Sequence, residues 1–287
     1  MKATTGIFAL GMQLAAAGAL AQIAVVEEVQ YPAWLERGGN AAPLAPGTPL
    51  QANDRLRTGG NARVKLQLAE GSAVRLGENA VFVIERVEDR GLFRATLGVI
   101  AGAFRFTTDA LRKSQRRDIS IKVMNVTAGI RGTDLWGKST EARDLVCLLE
   151  GKISVGAQGH PTVTLDQPLD FYQKPRGGEP QVAKVDPKQI EDWSRETEIS
   201  HDGPAARVAG QWRVVAAVLP TRDEALALNR ALRANGYPSE IASKGGFIAV
   251  QGPHLAGEAE ARALVSNLRQ IQGVAMPTVH PMLPANP

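Results

Sequence analysis

The chain has 287 residues, 44% hydrophobic and 22% charged, with a formal charge of +4 and a sequence pI near 9.3. That length and balance predict soluble globular folding with sizeable cores, in two domains rather than one. The positive excess is too mild to point to nucleic acid, and the single cysteine, Cys147, excludes an internal disulfide.

Residues 1–21 read as a secretory signal peptide. Lys2 supplies the positive start, Ile7 to Ala19 is mostly apolar, and Ala19-Leu20-Ala21 is a small-residue cleavage site before Gln22. The apolar run falls short of the about 20 residues that a membrane span needs. No cysteine follows it to accept a lipid. The expectation is an exported protein, not integral to the membrane once the signal is cleaved.

Residues 22–173 read as an all-β domain of short strands, a sandwich or solenoid. Val64, Leu66 and Leu68 alternate with Arg63, Lys65 and Gln67, which gives one dry face and one wet face. Val74 with Leu76, Val81 to Ile84, Leu92 to Leu97, Phe104 with Phe106, and Ile119 with Ile121 and Val123 continue the series. Between Asp109 and Asp118, the residues Arg112, Lys113, Arg116 and Arg117 read as a solvated basic loop. Cys147, set among Val146, Leu148 and Leu149, reads as a buried structural thiol.

Residues 174–210 read as a linker, opened by Pro175, Gly177, Gly178 and Pro180 and closed by Gly203-Pro204. Asp186-Pro187 is an N-cap with proline in the first turn, so one short helix is predicted inside it. Ile190 and Trp193 share a side and could dock that helix on the β domain.

Residues 211–280 change character and predict a small α+β unit in the order βαββαβ, with 281–287 as a tail. A strand over Trp212 to Val218 leads into Thr221-Arg222-Asp223-Glu224, a capping box that opens a helix. A hairpin turns at Lys244-Gly245-Gly246, and Leu264, Leu268 and Ile271 recur at helical spacing. Strand alternation puts Arg213, Val215 and Ala217 on one face, shared with Ile248 and Val250, and so predicts a largely apolar patch there. The same element order occurs in RNA-recognition modules, but Phe247 alone cannot stack bases as they do.

Val126-Thr127-Ala128-Gly129-Ile130-Arg131-Gly132-Thr133, followed by Leu149-Glu150-Gly151-Lys152-Ile153-Ser154-Val155, resembles the signature of the FecR domain. Upstream, Asp54-Arg55-Leu56-Arg57-Thr58-Gly59 and Leu68-Ala69-Glu70-Gly71-Ser72 resemble the same family, over roughly half the chain. The resemblance implies a periplasmic, all-β domain, with Gly129, Ile130, Arg131, Gly132, Thr133, Glu150 and Gly151 as its structural signature. Trp212 to Ala217 and Gly252-Pro253 resemble a SPOR domain, a family implied to bind peptidoglycan glycan strands stripped of peptide. Val215, Ala217 and Ile248 stand where that pattern has glutamine, glycine and arginine.

His160, His201, His254 and His280 are scattered, without metal-ligand spacing, and no nucleophile motif appears. No catalytic residue, metal site or cofactor is expected. Asp134 and Glu150 could lie near Arg131, as a structural ion pair rather than a catalytic carboxylate pair. The leading expectation is a non-catalytic envelope scaffold, with the β domain on a partner and the C-terminal unit on glycan or on an envelope protein. A FecR-type periplasmic signalling regulator is the first alternative. A glycan-cleaving enzyme, with Glu150 as the one candidate residue, is the second.

Overall fold

A computed structural model describes residues 23–282 apart from 60–61, 90–91, 109–116, 131, 201–204, 208–210, 236, 238, 245–246 and 256–257. The proposed signal peptide therefore lies outside the described residues. None of the described helices is long and apolar enough to cross a membrane.

The chain runs through β1 (Ala24–Gln30), β2 (Ala33–Arg37), β3 (Asn40–Pro43), β4 (Pro49–Leu50) and β5 (Arg55–Thr58). Next come β6 (Arg63–Leu68), β7 (Ala73–Leu76), β8 (Val81–Asp89) and the long β9 (Phe93–Thr107). After β10 (Arg117–Val123) and β11 (Val126–Ile130) come β12 (Asp134–Ser139), β13 (Arg143–Glu150) and β14 (Ile153–Ala157). The sandwich closes with β15 (Val163–Leu165), β16 (Asp170–Pro175) and β17 (Gln181–Lys184).

Two sheets face each other. The first has the order β1-β6-β7-β9-β12-β13-β16-β17, and the second β3-β2-β5-β8-β9-β10-β11-β14-β15. Strand β9 belongs to both. Its first half pairs with β8 and β10, and its second half with β7 and β12. The strand bends at Gly102, which has φ of 82° and lies where a Cβ would press on the backbone of Ala80. Inward residues of both sheets, among them Val64, Leu66, Phe82, Leu97, Phe106, Ile121, Ala128, Leu148 and Val155, form one continuous core. The alternation read from Arg63 to Leu68 is what fills it, with Val64, Leu66 and Leu68 no more than 2% exposed.

The first part of the expected linker, residues 174–184, is instead part of the sandwich. Strand β16 runs through Lys174 and Pro175, the glycines 177 and 178 follow in the hairpin turn, and β17 pairs back along β16. A Pro/Gly-rich stretch marks a tight turn as well as it marks a linker, and here the turn holds. Helix α1 (Pro187–Thr197) then crosses the outer face of the first sheet. Asp186 caps it by accepting from the Lys188 amide. Trp193 stacks on Trp136 with centroids 4.4 Å apart and planes at 6°, over Ala103, Leu145, Cys147 and Val185. Lys138 to Glu196 (2.7 Å) and Arg105 to Glu198 (3.3 Å) pin its C-terminal end.

Cys147 lies fully buried under this helix. Burial, aided by the charge of Asp170, pushes its thiol up to about 12. The native protein should therefore not react with a disulfide reagent at mildly alkaline pH, whereas the unfolded chain should titrate one thiol. Fast labelling of the native chain would refute this placement.

The short strand β18 (Ala205–Arg207) pairs with β1 on one side and meets Leu255 on the other. It leads to β19 (Trp212–Leu219), α2 (Arg222–Ala234), β20 (Glu240–Lys244), β21 (Phe247–Leu255), α3 (Glu258–Leu268) and β22 (Thr278–Pro281). This sheet has the order β22-β19-β21-β20. Thr221 accepts from the Glu224 amide as an N-cap and donates to the Glu224 carboxylate, so the N-cap half of the predicted capping box is formed. Val214, Ala216, Val250, Leu228, Leu232, Leu264 and Leu268 make the small unit's share of the core. Tyr31 of the sandwich reaches into it, edge-on to Tyr237 at 6.3 Å, and burial pushes both phenol groups up, Tyr237 to about 12.

Candidate functional site

The signature glycines and the strand around them form a sealed corner. Val126, Ala128 and Ile130 of β11 point into the core, and Thr127 and Gly129 point outward. At the turn beyond β11, the amide of Thr133 donates to the Thr108 hydroxyl (3.1 Å), and the amide of Thr108 returns to the Thr133 carbonyl (3.0 Å). Gly151, at φ 89°, packs so closely that a Cβ there would run into the carbonyl of Gly132 and the side chain of Thr133. The two halves of the signature, about residues 129–133 and 150–151, thus touch each other. Arg131 lies outside the described residues.

Asp134 stands opposite the exposed Glu150 in register, but its carboxylate is committed elsewhere. It accepts from Arg105 Nη2 at 2.7 Å and Nε at 3.0 Å. That hydrogen bonding raises the basicity of Arg105 against the opposing effect of partial desolvation. The corner is therefore built to hold shape, with Asp134 as a fixed counter-ion. Among the described residues no group of three or more His, Cys, Asp and Glu is arranged to hold a metal ion.

Three further carboxylates are buried and paired. Asp54 accepts two bonds from Arg37 (2.6 and 2.7 Å) and one from the Gln51 amide. Glu70, fully buried, pairs with Arg117 at 3.0 Å. Arg117 was expected in a solvated loop, but it is 9% exposed and forms the start of β10, so this end of the basic run is structural. Asp144 binds Arg176. Residue type marked Asp54 and Glu70 in the sequence, but their partners lie 17 and 47 residues away, and no local pattern announces them.

The outer faces of the two sheets differ. The first carries an apolar patch over Ala103, Trp136, Leu145 and Cys147 that is covered by α1. The second, among the described residues, is left bare where it crosses β9, β10, β11 and β14, with Thr96, Ser120, Gly129 and Ser154 in adjacent register positions. Lys122 to Glu85 (2.6 Å) and Arg94 to Asp118 (3.6 Å) flank that row. Met124 (50% exposed) and Ile100 (38%) are its large apolar residues. This broad hydrogen-bonding face is the sandwich's candidate contact surface.

Residues 54–154 match the family model described as FecR protein. The matched FecR segment starts at the buried Asp54 and ends at Ser154 on the bare face, so it contains both the sealed corner and most of that face. Two solved structures of a candidate anti-sigma factor from Parabacteroides distasonis align with the chain, each at a TM-score of 0.42. One is 10% identical, covering 68% of this chain and 97% of its own. The other is 12% identical, covering 75% and 90%. No curated protein matches the chain.

On the C-terminal sheet the expected shared face of Arg213, Val215, Ala217, Ile248 and Val250 does not form. The register shifts between Val215 and Ala217, because Ala216 is an extra residue in β19. Val215 stands opposite Gln251, whereas Ala217 stands opposite the buried Val250 and joins Ile248 and Leu219 on the helix side. The open side carries Arg213, Val215, Val218, Ala249, Gln251, Glu240, Thr278 and His280. It is mixed in polarity, and Gln251, itself buried, donates to Glu240 at 2.6 Å.

Proposed function

We propose that this chain is a FecR-type regulator: an exported, non-catalytic protein that works by contact with an envelope partner. The observation that carries the reading is the FecR match over residues 54–154, laid on the strands that present the bare face. An uncovered, hydrogen-bonding sheet beside one sealed by a helix favours binding over chemistry. The chain is assigned the periplasmic contact in such a relay.

Deleting the gene in its native host should change a defined set of transcripts. The wild-type gene should restore them, and Thr127→Arg/Ser154→Arg, which blocks the bare face at exposed positions, should not. Transcripts unchanged by the deletion would retire the regulator reading.

The polar open face of the C-terminal sheet favours a second reading, in which a SPOR-like unit docks the protein on denuded peptidoglycan glycan. Arg213, Glu240 and Thr278 supply the donors and acceptors that an apolar patch would lack. Co-sedimentation of the full chain with sacculi should then rise after amidase treatment and fall in Val215→Lys. No sedimentation with either sample excludes this role.

A further inference from the structure

The C-terminal sheet ends in an edge strand with cations on both of its flanks. Among the described residues β22 pairs only with β19, so its far edge borders a groove against α3. The Met282 amide donates to the Gln211 carbonyl at 2.6 Å, which sets the phase of the strand. Thr278 and His280 therefore turn their amides toward β19, and Val279 turns its N–H and C=O outward to the groove. Half-buried Val265 and Val279 form the floor.

Arg262 and Arg269, seven residues apart on and just after α3, lie on the helix side of that floor. Arg213 and His280, opposite each other in register, lie on the other side of the sheet. Glu258 takes up part of the charge of Arg262, and His280 is bonded to Thr278 at 2.9 Å. Among the described residues no carboxylate pairs with Arg269 or Arg213.

We propose that this groove takes an extended acidic segment of a partner protein, added as a strand along β22. The side chains of an added strand point alternately to the two sheet faces. Arg262 and Arg269 carry the charge on the helix face and Arg213, one strand further in, carries it on the other, so carboxylates face a positive group in either phase. The outward N–H and C=O of Val279 supply the backbone bonds. Pro277 and Pro281, which lack amide protons, limit the contact to a short segment and keep the edge from pairing with itself.

The test uses the full chain and a labelled peptide of alternating glutamate and valine, followed by fluorescence anisotropy. Binding is expected, with none for the same peptide carrying lysine. Arg269→Glu at an exposed position should weaken binding about tenfold, a typical effect for one reversed contact charge. Arg233→Glu, the same charge change on α2, should leave it unaltered. Amide exchange at Val279 should slow when the peptide is bound. Equal binding of both peptides, equal losses in the two arginine variants, or unchanged exchange in β22 would each overturn the proposal.

Discussion

Gly151→Ala should lower the thermal midpoint of the protein by roughly 6–12 °C, because two separate costs fall on one methyl group. Gly151 sits at φ 89°, where an L side chain costs about 1–2 kcal/mol. Its Cβ would also press on the Gly132 carbonyl and on Thr133, and overpacking of a tight contact costs about 1–3 kcal/mol. The sum is roughly 3 kcal/mol, at about 2–4 °C per kcal/mol for a unit of this size. Gly159 separates the two costs. It has φ 80° with nothing near the position of a Cβ, so Gly159→Ala should show the backbone cost alone, about 1–2 kcal/mol. Equal losses in the two variants would mean that the corner is not sealed as described.

The same corner shows why part of the fold was legible. Alternation along Arg63 to Leu68 and Ile119 to Val123 is a local signal, and each strand's inward residues follow from it. The N-cap at Thr221 and the docking tryptophan at 193 are local too. What failed was long-range or hinged on a single residue. One extra residue, Ala216, moves Ala217 to the opposite face from the one alternation assigns, and nothing in Trp212 to Leu219 marks a bulge. The turn glycines 177 and 178 read equally well as a linker, and only the pairing of β17 with β16 decides between them. The buried carboxylates were visible by type, but the arginines that complete them come from distant strands and turns.

Arg176→Ala tests the pair with the fullest hydrogen-bond shell around its carboxylate and is expected to cost about 3 kcal/mol, read by chemical denaturation. Asp144 is fully buried. Arg176 approaches it with two nitrogens, at 2.6 Å and 2.9 Å, and Ser139 donates at 2.8 Å. The amide and side chain of Asn125 complete the shell at 3.2 Å and 3.1 Å. Removing the arginine leaves a buried carboxylate short of its counter-charge, which commonly costs about 3–5 kcal/mol. Arg176 is 31% exposed, so water can enter its place and the lower figure applies. Asp144→Ala combined with Arg176→Ala should cost less than the two single changes added together, because the second change removes the charge that the first one stranded. Simple additivity would show that the pair is not coupled. The node ties the turn at Asn125 to the turns at Thr140 and Arg176, directly beside the end of the bare face where Met124 lies exposed. Loosening it should therefore weaken partner contact on that face even where the rest of the sandwich stays folded, which links the stability of this end of the domain to its proposed use.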